Sequence, residues 1–284
     1  MGEALRRLFA AGVVTRDDVF VQTKFTSFDG QDPARCPYDP KLPLAEQVRV
    51  SFATSQSELG IDKVDSLVLH GPLSRAADTL AVWRAMEAIH TSGLASQLGV
   101  SNFYSLKDFR AFYAKATIKP AVLQNRWYGE TRHDGALRRF CREHGIVYQS
   151  FWTLTGNPQL LASAAVKRAA RRTGKTAEQV LFRFLMHRGV APLTGTCSAE
   201  HMAQDLGAWH GSNKFTVSPS ANAESAAADS AATAAGATES ESWDLTEQEV
   251  TDIGALVEED CGDGDVVEPF EAARAAAERE SATK

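Results

Sequence analysis

IDKVDSLVLHGP, residues 61–72, is the stretch on which the fold turns. Val64, Leu67, Val68 and Leu69 form an apolar run with almost no polar alternation, the pattern of a strand buried on both faces. The run ends at His70, where Gly71 and Pro72 stop it. The carboxyl end of a buried parallel strand is where barrel and doubly wound α/β proteins carry their chemistry. Taken alone, His70 reads more readily as a core histidine with its hydrogen bonds satisfied. Its companions along the chain change that balance.

Outward from this strand, apolar periods of two and of three to four alternate. Towards the amino end, Ala4, Leu5, Leu8 and Phe9 predict a helix over Met1–Ala11 that begins with neither a cap nor a preceding strand. A strand follows over Asp18–Lys24, then a long Gly-, Pro- and Asp-rich loop over Phe25–Pro43 of the kind that carries function. Leu44–Leu59 is read as a helix. Towards the carboxyl end come a helix over Thr79–Ser92, a strand over Ala95–Ser101, and a helix to Lys115 opened by Ser105 and Asp108. A strand over Ala121–Asn125, a helix over Asp134–His144 and a strand over Gly145–Phe151 continue the alternation. A helix capped by Thr176 and Gln179, a strand over Gly189–Leu193 and a helix over Ser198–Leu206 complete it. Six strands alternating with helices over short connections predict an α/β fold with a parallel sheet and right-handed crossovers.

The chain has 284 residues, 44% of them hydrophobic, enough for one large α/β barrel or for one or two ordinary domains. Its formal net charge of −6 argues against a nucleic-acid partner. Cys36, Cys141, Cys197 and Cys261 lack metal-ligand spacing, so no metal is expected and reduced thiols in a cytoplasmic setting are. No membrane span and no signal peptide are read. From Gly211 to Ser242 the composition falls to Ala, Ser, Thr, Asn and Glu, which predicts a disordered insertion. It separates residues 1–210 from a carboxyl-terminal part, 243–284. There Thr246 and Glu249 cap a helix to about Val257, and Glu268–Glu280 adds a solvated helix.

Lys24, His70, Asn102, Gln124 and Ser150 each stand at or just after the end of a different consecutive strand. In a parallel barrel those ends share one rim, so five polar groups converge on one mouth. The other histidines, His90, His133, His144, His187 and His210, show no ligand spacing and read as surface residues. Trp127, Phe151 and Trp152 read as pocket lining or as packing.

VFVQTK (19–24), SELGIDKVDSLVLH (57–70), GLASQLGVSNF (93–103), AVLQNRWY (121–128), GIVYQSF (145–151) and VAPLTGTCSAEHMAQDL (190–206) resemble successive blocks of the aldo-keto reductase superfamily. The likeness covers Met1–Leu206 and resumes at Asp244–Leu256. It implies a TIM-type (β/α)8 barrel, here with about six of the eight strands. It also implies binding of a nicotinamide dinucleotide, usually NADPH, and reduction of an aldehyde or ketone. In that family a tyrosine donates the proton, a lysine lowers its pKa, an aspartate pairs with the lysine, and a histidine orients the carbonyl. Lys24 matches the lysine and His70 the histidine. Ser101, Asn102 and Gln124 match the positions that bond the nicotinamide carboxamide, and Ser150 joins the cofactor-side candidates. Gly195, Thr196 and Ser198, with His201, match the turn that takes the adenosine-side phosphate.

The resemblance also implies departures. The family's aspartate and tyrosine precede the helix that opens this sequence, as do its first two strands. Tyr38, Tyr104, Tyr113, Tyr128 and Tyr148 belong to other blocks. One expectation is therefore a longer form that carries the missing segment. A second is a catalytically inactive short isoform that binds nucleotide or another subunit. A third, a channel-associated regulatory subunit, has no specific support. Gln149, Gly195 and His201 replace residues on which many relatives hold the nicotinamide ring and the 2′-phosphate, which leaves NADH open beside NADPH. A small carbonyl substrate and a monomeric state complete the implication.

Overall fold

The structure, a computed structural model, describes residues 1–209 and 243–257. Six strands form a parallel sheet in chain order: β1 (Gln22–Phe25), β2 (Val64–Leu69), β3 (Ala95–Ser101), β4 (Val122–Arg126), β5 (Val147–Phe151) and β6 (Val190–Pro192). The described helices are α1 (Gly2–Ala10), α2 (Leu44–Leu59), α3 (Ala76–Thr91), α4 (Leu106–Lys115) and α5 (Gly135–Glu143). They continue with α6 (Pro158–Leu161), α7 (Ala164–Thr173), α8 (Ala177–His187), α9 (Ala199–Trp209) and α10 (Glu247–Gly254). The α/β alternation expected from periodicity is present. The chain divides into two compact units, one of residues 1–103 with 107–124, the other of residues 104–106 with those from 125 on.

In the first unit β1–β4 pair in parallel, with Lys24 opposite Val68, Val68 opposite Gly99, Gly99 opposite Val122 and Ser101 opposite Gln124. Side chains alternate across a strand, so this row lies on one face, and Leu67, Leu69, Leu98, Val100 and Leu123 lie on the other. All five of the latter are buried. α2 packs on β1 and on α3, and α3 packs on β3. Trp83 is fully buried, meets Phe112 edge-on at 5.0 Å, and donates its indole N–H to Ile118 O at 3.1 Å. Gly99 is required by its row. A Cβ there would stand 2.9 Å from Val122 Cβ and 3.2 Å from Val68 Cγ2.

In the second unit β5 pairs with β6, placing Tyr148 opposite Val190 and Ser150 opposite Pro192. α8 is opened by a reciprocal capping box of Thr176 and Gln179 and buries Val180, Leu181, Phe184 and Leu185 completely. α10 has the expected Thr246–Glu249 box and is tied to α7 by Arg172, which bonds both Glu249 carboxylate oxygens at 2.7 and 2.6 Å. Trp243 packs against Phe182, Met186 and Ala208.

Several boundaries differ from the sequence reading. The first strand begins at Gln22 rather than Asp18, because the Asp18 carboxylate accepts both the N–H and the hydroxyl of Thr15 at 2.7 Å. Such side-chain capture of backbone donors competes with strand formation. α3 starts at Ala76, three residues before Thr79. α6 and α7 were not foreseen. α7 buries only Ala165, Val166 and Ala169, an apolar face too slight to stand out, although Ser163 caps it through Val166 N at 3.2 Å. The segments read as an insertion over 211–242 and as a tail helix over 268–280 lie outside the described residues, as do His210 and Cys261.

Candidate active site

The carboxyl ends of β1–β4 gather the polar groups of the first unit. Lys24, on β1, donates from Nζ to Oε1 of Gln124 on β4. Gln124 donates from Nε2 to Gln22 Oε1 at 2.8 Å, and Gln22 donates from Nε2 to Ser66 Oγ at 3.1 Å. The backbone carbonyl of Gln124 accepts the Ser101 hydroxyl at 2.6 Å and the Asn102 N–H at 3.1 Å. Asn102 donates from Nδ2 to His70 O at 2.7 Å and to Ser101 Oγ at 3.3 Å. His70 in turn donates its N–H to Phe25 O at 2.9 Å, which carries the β1–β2 ladder one step past the strand. Lys24, His70, Ser101, Asn102 and Gln124 are thus brought together as one hydrogen-bonded rim.

Two members of this network, Gln22 and Ser66, were missed in the sequence. The signal was their parity: Gln22 lies two residues before Lys24 and Ser66 four before His70, which places each on the same strand face as its partner. Asn102 adopts φ 57°, a left-handed conformation that Asn tolerates better than most residues and that concentrates at functional sites. Burial lowers the pKa of the Lys24 ammonium. Burial first, and the Lys24 charge second, lower that of His70 and keep its imidazole neutral near pH 7. A neutral imidazole offers one donor and one acceptor nitrogen.

The other candidates lie in the second unit. Ser150 is fully buried on β5, with its hydroxyl 2.9 Å from Thr153 Oγ1. Gly195, Thr196, Ser198 and His201 cluster at the amino end of α9. Ser198 donates its N–H to Thr196 Oγ1 at 3.0 Å and His201 donates its N–H to Ser198 Oγ at 3.3 Å. A Cβ at Gly195 would meet open space. The Thr194 hydroxyl donates to Asp205 at 2.5 Å, so a carboxylate attends this turn.

Some single-residue readings need correction. His133 is not a surface residue: it is 4% exposed, packs on Trp127 at 4.4 Å and has Nε2 2.9 Å from Asn157 Oδ1. Trp127 is fully buried and belongs to packing. Three tyrosine phenols are held in structural roles. Tyr38 donates to Thr26 O at 2.7 Å, Tyr148 donates to Asp134 at 2.8 Å, and Tyr104 accepts the Arg126 N–H at 3.1 Å. Burial pushes all three above the ordinary tyrosine range.

Among the described residues no three His, Cys, Asp or Glu side chains gather into a metal-binding group. No described helix is long and apolar enough to cross a membrane.

A sequence model of the aldo/keto reductase family matches residues 1–218. An NAD(P)H-dependent 6′-deoxychalcone synthase of Glycine max is 30% identical over 229 residues, covering 72% of this chain and 67% of the relative. An NADH-dependent D-xylose reductase of Candida parapsilosis is 27% identical, covering 72% and 70%. This chain therefore spans about two thirds of the length of such relatives. The crystal structure of a silkworm (Bombyx mori) aldo-keto reductase aligns at TM-score 0.66 and 21% identity, covering 94% of this chain and 71% of that one. An NADPH complex of an aldo-keto reductase aligns at TM-score 0.65. These neighbours share the TIM-barrel fold class expected from the sequence.

Proposed function

This chain belongs to the aldo/keto reductase family, and we propose that it binds a nicotinamide dinucleotide and serves hydride transfer to the carbonyl carbon of a small aldehyde or ketone. The observation that carries this is the single bonded rim of Lys24, His70, Ser101, Asn102 and Gln124 at adjacent strand ends. One hydroxyl and two amides there form a neutral donor and acceptor set, which suits a carboxamide better than a charged group. Ser101, Asn102 and Gln124 would hold the nicotinamide carboxamide. Ser150 is kept as a further cofactor-side residue by its place on β5. The N–H groups at the start of α9, with Thr196, Ser198 and His201, would take the adenosine-side phosphate, as helix amino termini do. The dinucleotide, when bound, supplies the hydride.

The chain's own residues then act on the carbonyl oxygen. The His70 imidazole, neutral near pH 7, donates a hydrogen bond that orients it. The Lys24 cation stabilises the negative charge that develops as the carbon is reduced, an effect strengthened by partial burial. No tyrosine of this chain is assigned the proton-donor role, nor is an aspartate assigned to Lys24. With water supplying the proton that completes the alcohol, turnover by these residues alone would be slower by the roughly 10²–10⁴ that a positioned general acid contributes. NADPH is the first choice of cofactor. NADH is kept beside it on one observation, the bond from Thr194 to Asp205, which sets a carboxylate at the turn that would take the phosphate. Action in the cytoplasm fits the free thiols of Cys36, Cys141 and Cys197, and the chain is taken to act as a monomer.

The test is the initial rate of NADPH and NADH oxidation with a small aldehyde and a small ketone. Lys24→Met should lower kcat by about 10², the usual cost of one lost charge-stabilising group. Equal rates in the two proteins would remove Lys24 from the chemistry. Saturable nucleotide binding with no turnover would favour the second reading, a nucleotide-binding protein without catalysis.

A further inference from the structure

Arg126 ends β4 in an unusual setting. Its guanidinium carbon lies 4.1 Å from the Trp152 ring centroid, 5.6 Å from that of Tyr128 and 6.0 Å from that of Phe151. Its Nε is buried and has no hydrogen-bond partner among the described residues. Three other arginines of the same unit find carboxylates: Arg172 bonds Glu249, Arg168 bonds Asp252 and Arg183 bonds Asp244. Arg126 forms no ion pair among the described residues. The Tyr128 phenol is its hydrogen-bonding neighbour.

The backbone beside it is held in a costly shape. Trp152, the residue after β5, adopts φ 61° and is 47% exposed. Its carbonyl accepts the Gly156 N–H at 2.7 Å. A Cβ at Gly156 would stand 3.0 Å from both Trp152 O and Tyr128 Cβ, so the turn is tight against Tyr128. A large aromatic in left-handed backbone, half exposed and stacked on an unneutralised arginine, is an arrangement that packing alone does not reward. Stacking covers the face of a guanidinium and leaves its N–H edge to recognise a planar anion in a two-pronged grip. One arginine matches one negative charge. A carboxylate has that charge and that planarity.

We propose that Arg126, with Trp152 and Tyr128, is an acid-recognition subsite of the second unit that takes a small carboxylate. The exposed Trp152 ring suits a flat apolar body attached to the acid.

Phenylglyoxylate and its methyl ester are the probes, matched in carbonyl and ring and differing in charge. Each is titrated against the full chain by Trp fluorescence, with NADPH binding titrated separately. The acid should bind about 10- to 100-fold more tightly than the ester, the range of a charge-assisted pair. Arg126→Met should bring that ratio to about one with NADPH affinity unchanged. Arg126→Lys, which keeps the charge and the stem but loses the fork, should reduce it about tenfold and guards against a misfolded first variant. No preference in the wild type overturns the inference, as does a preference that survives in either variant at full strength. Acid preference without NADPH binding supports the subsite and defeats the hydride-transfer reading. NADPH binding without acid preference does the reverse.

Discussion

Replacing Asp134 with Asn removes a titrating carboxyl from the interior of the second unit and keeps an oxygen to accept its bonds. Asp134 accepts Asn125 Nδ2 at 2.7 Å and the Tyr148 hydroxyl at 2.8 Å. Burial nonetheless raises its pKa from 3.8 to about 6, outweighing those bonds and the nearby Arg138 charge. Between those values the folded chain keeps a proton that the unfolded chain has released. The stabilisation linked to that proton is therefore complete below about pH 4 and lost as pH rises through 6. A gap of about two units, at about 1.36 kcal/mol each, comes to about 3 kcal/mol. Urea unfolding of wild type and Asp134→Asn at several pH values isolates this contribution, because every other group titrates in both proteins. From pH 4 to 7.5 the variant should gain about 3 kcal/mol relative to wild type. Parallel profiles, within about 0.5 kcal/mol across the range, would refute the argument.

Gly99→Ala should cost about 1–3 kcal/mol in the same assay, since its Cβ would overlap Val122 on a central strand; an unchanged midpoint would contradict the β3–β4 register. Gln22→Leu removes the half-buried bonds to Gln124 and Ser66 and should cost about 0.5–1.5 kcal/mol while weakening NADPH binding. A stable variant with full affinity would show that the Gln124 amide needs no such support. His70 should titrate below 6.5 by NMR, and Lys24→Met should raise its pKa part of the way back, because burial remains after the charge is gone. A His70 pKa that does not respond would separate the two side chains electrostatically.

The parts of the fold that were legible are those with local signals. The unbroken apolar run and the Gly-Pro stop put β2 at Val64–Leu69, and α2 and β3 begin and end at the expected residues. The Thr176–Gln179 box is a signal carried by four consecutive positions. What escaped depends on partners far along the chain. His133 is buried because Asn157, 24 residues on, accepts or donates at its ring, and nothing near His133 announces that. Strand ends located Lys24 and Gln124, but the bond between them crosses 100 residues, and the Gln22–Ser66 support behind it looks locally like ordinary surface alternation. Arg126 drew no notice, because only the folded turn over 152–156 lays Trp152 across it.

The measurement that bears most directly on nucleotide binding at the β1–β4 rim is a calorimetric titration of NADPH into the full chain, wild type against Asn102→Ala and Gln124→Leu. Saturable one-to-one binding that weakens about tenfold or more in each folded variant is the expected result, in line with a lost hydrogen bond to a buried polar group. Wild-type protein that takes up no NADPH at millimolar concentration, or variants that bind as tightly as wild type, would mean that the rim does not hold the nicotinamide.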